Sequence, residues 1–224
     1  MQLLRRMQTL LAQLYDAPVR EDVQDFVLSD PRRLREAVGE QAGEGSDEQV
    51  FVVQDEQGVR LGVFIESGVL DRLTRRDPLL ALDEDNLADF CTALEGVSHF
   101  TYYAWNAARD KVVSLFELEL QAEVDKYVLG AWLLRAQGGG RFPRELHRVL
   151  FDRAHVDPGI AGERTGLYRR ASVYAGRFCR RVAARLERAR RASARNDLRP
   201  LLAELRRFYR WGSARKFSFI ENLA

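Results

Sequence analysis

Apolar residues recur with the period of an α-helix along most of this 224-residue chain, and this rhythm constrains the fold more than any motif does. Near residue 50 the rhythm changes. Val50–Val53 and Val59–Ile65 are β-rich runs around a connection that contains Gly58, which is typical of a β-hairpin. The sequence therefore predicts a helix-rich α+β fold.

The first half of the chain contains four predicted helices. Leu3–Leu14 carries an amphipathic stripe, and Asp30 followed by Pro31 favours a capped helix that runs to Val38. Short helices are predicted near residues 69–73 and 86–94. Gly96 is interpreted as the C-terminal cap of the second of these.

A second hairpin is predicted after Gly96. Residues 97–105 and 111–113 would be its strands, and His99, Tyr103 and Trp105 would lie on one face. Together with the first hairpin they would form a small antiparallel sheet of four strands.

The segment 115–137 fits two structures. Ser114 and Glu117 form a capping box, and the apolar residues keep a helical period, so a helix that begins after Ser114 is expected. A strand at 115–123 is the alternative, and it would place four carboxylates on one side as a metal site for phosphoryl chemistry. These are Glu117, Glu119, Glu123 and Asp125.

Beyond residue 137 the chain is predicted to be entirely helical. Gly138–Gly140 is interpreted as a hinge, and helices are expected at 144–151, at 163–191 and after a cap at Asn196 or Asp197. The two long helices would form a C-terminal antiparallel hairpin.

The two parts differ in charge. Residues 1–137 contain 14 Lys+Arg and 25 Asp+Glu, a net charge of −11, whereas residues 138–224 contain 21 and 8, a net charge of +13. We expect an acidic α+β subdomain at 1–137 and a basic helical subdomain at 141–224, either separate or joined in one compact domain.

Arginines on the long helix at 163–191 are the predicted polyanion-binding residues, because guanidinium groups pair well with phosphate and carboxylate. They are Arg169, Arg170, Arg177, Arg180, Arg181, Arg185 and Arg188. The partner would be nucleic acid or an acidic protein. A solvated face that the acidic half neutralises is the structural alternative.

Several aromatic residues in the basic half could stack on single-stranded bases, although most also fit the apolar core stripe. They are Tyr168, Phe208, Tyr209, Trp211, Phe217 and Phe219.

A second candidate site consists of Glu117, Gln121 and His99. The first two are polar groups within an apolar arc, so they need partners, either in a structural network or in a ligand pocket with His99. These residues would serve a ligand-binding protein or a metal-dependent hydrolase or nuclease.

Other candidates carry weaker signals. Cys179 lies among arginines that would lower its pKa if the thiol were exposed. Potential ligands occur at His147, Asp152, His155 and Asp157, in a spacing that matches no zinc motif. No nucleotide-binding loop is present, and no catalytic residue, metal or cofactor is assigned.

The longest apolar stretch, Tyr127–Leu134, is far shorter than the roughly 20 residues of a membrane-spanning helix, so no membrane association is expected. Two isolated cysteines fit a reducing compartment. We therefore expect a non-enzymatic bacterial cytoplasmic interaction protein that could also form homo-oligomers.

Overall fold

The computed structural model describes residues 2–39, 47–55, 58–138, 143–152, 163–191 and 197–223. Eight α-helices and three strands lie in these ranges. In chain order they are α1 (Gln2–Tyr15), β1 (Val27–Leu28), α2 (Pro31–Val38), β2 (Glu48–Asp55), β3 (Gly58–Ile65), α3 (Ser67–Arg75), α4 (Leu87–Ala107), α5 (Leu115–Gln137), α6 (Glu163–Arg191), α7 (Arg199–Arg210) and α8 (Ser213–Glu221). The predicted helix-rich α+β fold is confirmed.

The first two helices begin and end where the sequence predicts. α1 ends before Asp16, whose φ of 51° turns the chain, and Leu4, Met7 and Leu11 on its apolar stripe are buried. The Asp30 side chain caps α2 by accepting a 2.8 Å hydrogen bond from the Arg32 backbone N–H.

The sheet has three strands in the order β1-β3-β2. β2 and β3 form the predicted antiparallel hairpin, in which Val50 pairs with Val63. β1 pairs with β3 in parallel, with Val27 opposite Val63. The prediction of a strictly antiparallel sheet of two hairpins is therefore wrong, since the sheet is mixed and contains one hairpin.

The second hairpin does not exist because α4 continues from Leu87 to Ala107, through Gly96. Gly96 does not end the helix. A Cβ at Gly96 would lie 2.7 Å from Cγ1 of Val63 and 3.3 Å from Cγ of Glu48, so the glycine lets the sheet approach α4 closely. His99, Tyr103 and Trp105 consequently lie on a helix, and burial outweighs the β-propensity of this segment.

α5 begins after Ser114, as predicted, which excludes the strand alternative at 115–123. The Ser114 hydroxyl accepts a 3.2 Å hydrogen bond from the Glu117 backbone N–H. This is half of the predicted capping box, because the Glu117 carboxylate has other partners, described below.

The described part of the basic half contains one helix more than predicted. α6 confirms the long helix, and α7 forms the expected partner helix, but α8 follows it after Gly212. The predicted helix at 144–151 appears as a short helical segment with a π-helical turn at Arg148–Asp152.

Some predicted features lie outside the described residues. They are Gly139 and Gly140 of the hinge, most of the loop at 39–48, the turn at 155–159, and Asn196.

A hydrophobic core joins the acidic and basic halves. α6 packs against α5, and α7 packs against α1. Within the described ranges one ion pair joins the two halves, between Arg210 and Asp16 at 3.4 Å. Apolar burial therefore provides most of the contact between the halves, and this exposed ion pair contributes little. No described helix combines the length and hydrophobicity that a membrane crossing requires.

Candidate functional site

A layer of buried polar side chains lies where α4 and α5 face each other. α4 provides Ser98, His99 and Tyr102, and α5 provides the polar positions between Glu117 and Asp125. Buried polar groups destabilise a protein unless they have hydrogen-bond partners, so we describe this layer by its polar contacts. These contacts divide the layer into two clusters.

The first, which we call the lysine cluster, consists of Tyr102, Glu117, Gln121, Asp125 and Lys216. The Lys216 ammonium has no exposed surface and donates hydrogen bonds to Gln121 Oε1 at 2.7 Å and to Tyr102 Oη at 3.0 Å. Gln121 Nε2 donates to Asp125 Oδ1 at 2.7 Å, and the Tyr102 hydroxyl donates to Glu117.

Other elements complete the hydrogen bonds of this cluster. Asp125 also accepts from the hydroxyls of Tyr15 on α1 and Ser98 on α4. Glu117 accepts from Lys111 Nζ at 3.1 Å and from the Ser213 backbone N–H at 2.9 Å. The cluster therefore ties α1, α4, α5 and α8 together.

Burial changes the acid–base chemistry of the lysine cluster. It lowers the pKa of Lys216 to about 7, even though Glu117 and Asp125 act in the opposite direction. It raises the pKa of Asp125 to about 6, against the hydrogen bonds from Ser98, Tyr15 and Gln121. Both pKa shifts reflect the free-energy cost of a charged group in the buried interior of the protein.

The second, which we call the histidine cluster, consists of Glu48, Glu95, His99 and Glu119. The His99 ring is buried, with Nδ1 3.5 Å from a Glu48 carboxylate oxygen and Nε2 3.6 Å from a Glu119 oxygen. Neither ring nitrogen has a hydrogen-bond partner among the described residues. Glu95, one helical turn before His99, brings a further carboxylate within 4.8 Å of the His99 and Glu119 ligand atoms.

Lys126 borders the histidine cluster. Its ammonium lies 2.6 Å from Glu95 Oε2 and 2.6 Å from Glu123 Oε1. Burial alone would lower the pKa of Lys126 and of His99, but the neighbouring carboxylates outweigh it and raise both. Burial raises the pKa of Glu48 to about 6, against the lowering effect of His99.

The predicted ligand set Glu117, Gln121 and His99 is thus divided. Glu117 and Gln121 belong to the lysine cluster, whereas His99 faces Glu48 and Glu119. Two cavities of about 30 and 440 Å³ are lined by other residues, the first between α1, α5, α6 and α7 and the second around residues 5–22.

The seven predicted polyanion-binding arginines divide as well. Arg181 Nε lies 3.0 Å from Glu204 Oε1, and an Arg185 nitrogen lies 2.9 Å from Glu204 Oε2. The Glu204 side chain is only 5% exposed, whereas those of Arg181 and Arg185 are 35% and 30% exposed, so this contact joins α6 to α7 at the edge of the core.

The other five predicted arginines are exposed, and we call them the arginine ridge. They are Arg169, Arg170, Arg177, Arg180 and Arg188. At 100° per residue they occupy an arc of about 100° and about 29 Å of helix length. Arg177 lies 3.8 Å from Glu221, while the other four have no acidic partner among the described residues.

The remaining candidates are placed as follows. Phe208 and Tyr209 are buried, and Phe217 is 42% exposed. Tyr168, Trp211 and Phe219 are partly buried, so little aromatic surface is exposed for base stacking. Cys179 is buried, which raises its thiol pKa well above the usual value.

His147 Nε2 lies 2.9 Å from the Gly176 carbonyl oxygen, and Asp152 is exposed. His155 and Asp157 lie outside the described residues.

Sequence reasoning missed four members of the clusters, namely Tyr102, Lys216, Glu95 and Glu48. Lys216 carried a signal, because it is one of only three lysines in a chain with 35 basic residues. Glu95 lies four residues before His99, a spacing that places both side chains on one face of a helix, but the segment that contains His99 was predicted to be a strand. No local pattern in the sequence indicates Glu48, because only the sheet brings this residue to α4.

No family model, no curated protein and no solved structure matches this chain.

Proposed function

We propose that this is a non-enzymatic cytoplasmic interaction protein whose arginine ridge binds a polyanion, with a nucleic-acid backbone as the ligand. The observation that carries the proposal is that four of the five ridge arginines lie exposed without an acidic partner among the described residues. No described residue of the acidic half forms an ion pair with them. The ion pairs of α6 with described residues go instead to Glu187, Glu204 and Glu221 of the basic half.

The shape of the ridge favours an extended ligand. A narrow line of guanidinium groups about 29 Å long can follow successive phosphates, and each contact releases condensed counterions. Because the aromatic residues are largely in the core, the proposed binding depends on charge and is largely independent of base sequence. Free cysteines at positions 91 and 179 fit the reducing compartment in which such a protein would act.

Fluorescence anisotropy with labelled DNA and RNA, titrated with salt, tests the proposal. The test variant is Arg169→Glu/Arg180→Glu/Arg188→Glu, which leaves the Glu204 contacts intact. The control is Arg32→Glu/Arg33→Glu/Arg35→Glu, which makes the same charge change on exposed positions of α2.

We expect the wild type and the control to bind duplex DNA with a salt-dependent affinity. The test variant should lose most of this affinity, and its log–log salt slope should fall by about 3 if each arginine contacts one phosphate. Equal losses of DNA affinity in both variants would show that binding depends on the overall charge of the protein, and would contradict the proposal that the arginine ridge is the binding site. Binding of poly-L-glutamate without binding of nucleic acid would replace the nucleic-acid ligand with an acidic protein.

A further inference from the structure

The His99 ring and the two carboxylates beside it lie at ion-pair distances that are longer than a typical hydrogen bond. His99 is buried between two carboxylates, and its nitrogen–oxygen distances of 3.5 and 3.6 Å exceed the usual hydrogen-bond length of about 2.9 Å. Two ligand atoms on one tetrahedral metal ion, in contrast, lie about 3.4 Å apart when each bond is about 2.1 Å long. The 3.6 Å between His99 Nε2 and the Glu119 oxygen is close to this ligand–ligand distance.

We propose that Glu95, His99 and Glu119 bind one divalent first-row transition-metal ion, and that Glu48 orients the His99 ring from behind. The ligand atoms of the first three residues all lie within 4.8 Å of one another. Nε2 of His99 faces Glu119, and Nδ1 faces Glu48. A carboxylate on the second ring nitrogen is the usual support of a metal-bound histidine.

The charges of the cluster support a cation. Four carboxylates lie around this site, those of Glu48, Glu95, Glu119 and Glu123, while Lys126 provides one ammonium. With His99 protonated, as its raised pKa favours, the group has a net charge of −2, which is costly in a buried position. A divalent ion in place of the ring proton would reduce the net charge to −1. The Lys126 ammonium pairs with Oε2 of Glu95.

The ligand types narrow the choice of ion. One imidazole with carboxylates suits Zn²⁺, Mn²⁺ or Fe²⁺ better than Mg²⁺ or Ca²⁺, which prefer oxygen ligands alone. Glu95 has 24% of its side chain exposed and marks the side from which an ion can enter, whereas the His99 side chain is only 5% exposed. Three protein ligands would leave a coordination position for water.

Isothermal titration of metal-free protein with Zn²⁺ and with Mn²⁺, using Mg²⁺ for comparison, gives the first test. We expect one ion per chain for Zn²⁺ and for Mn²⁺, and much weaker binding of Mg²⁺. Glu119→Gln should weaken binding by about tenfold or more, and Glu48→Gln by about 10- to 100-fold. Glu66→Gln, at the start of α3, is the matched control and should leave the affinity unchanged.

Pulsed electron paramagnetic resonance of bound Mn²⁺ identifies the histidine. The chain has three histidines, so His147→Gln/His155→Gln leaves His99 as the only imidazole. This variant should keep the ¹⁴N coupling of the wild type, and His99→Gln should lose it. If His99→Gln does not fold, the ¹⁴N couplings of the wild type and the double variant are sufficient to test whether His99 binds the metal. Absence of Zn²⁺ and Mn²⁺ binding at millimolar concentration, or binding without ¹⁴N coupling in the double variant, would overturn the proposal.

Discussion

Lys216 and Gln121 are 95 residues apart in the chain, yet the lysine ammonium donates a 2.7 Å hydrogen bond to the glutamine side-chain oxygen in the protein interior. This contact joins α8 to α5 and places a cation between Glu117 and Asp125 of the lysine cluster. The last helix of the chain is therefore held by a buried polar network as well as by apolar packing.

Lys216→Met should destabilise the protein by about 3 kcal/mol or more. The change leaves buried Gln121 Oε1 and Tyr102 Oη without the hydrogen bonds that Lys216 donates to them. Urea unfolding followed by circular dichroism measures the loss. Arg215→Met, at the exposed neighbouring position, is the control and should change stability by less than about 0.5 kcal/mol. Equal effects of the two substitutions would contradict a structural role for the network.

The stabilising contribution of Lys216 should depend on pH. Its pKa is about 7 in the folded protein and about 10.4 in an unfolded chain, so the unfolded state binds more protons between these values. Stability of the wild type relative to Lys216→Met should therefore rise from about pH 7 to about pH 9. Urea unfolding of both proteins across this range measures the difference, and a difference that stays constant would mean that Lys216 titrates normally.

Two glycines in helices should respond to alanine in opposite directions. Gly96→Ala puts a Cβ 2.7 Å from Val63 and should cost about 1 to 3 kcal/mol, despite the higher helix propensity of alanine. At Gly166 on α6 a Cβ would meet no described atom within 4 Å, so Gly166→Ala should stabilise by about 0.5 to 1 kcal/mol. Thermal unfolding of the two variants gives the signs, and a stabilised Gly96→Ala would show that the sheet and α4 can separate without cost.

The arginines of α6 should fall into a structural pair and a binding group. Arg181→Ala/Arg185→Ala leaves the buried Glu204 unpaired and should cost about 3 kcal/mol. Arg180→Ala/Arg188→Ala should change stability by less than about 0.5 kcal/mol and should weaken nucleic-acid binding. Chemical denaturation and anisotropy on both variants test the division. Equal losses of stability in the two double variants would contradict this division of the arginines into structural and binding residues.

Cys179 should be chemically inert in the folded protein. Burial removes it from solvent and raises its pKa well above the usual value, so the reactive thiolate is not formed despite the arginines nearby. In a Cys91→Ser variant, a thiol reagent at mildly alkaline pH should modify Cys179 only as fast as the protein unfolds. Rapid modification under native conditions would instead show that the thiol is accessible.

The sequence by itself determined most of the helices and the first hairpin. These elements depend on local signals: the apolar periods of α1 and α6, the caps at Asp30 and Ser114, and the β-rich runs around Gly58. Local patterns also predicted the arginines of α6, because charge on a long helix is visible without knowledge of the fold.

Only the tertiary structure decided the path of α4 and the composition of the clusters. Gly96 reads as a helix cap in the sequence, but its role is to let Val63 and Glu48 approach the helix, and that contact involves a distant strand. Glu48 and Lys216 reach their clusters through the sheet and α8 in the same way. Local signals report the backbone preference of a few neighbouring residues, whereas the partners of a buried charge are set by packing between elements far apart in the chain.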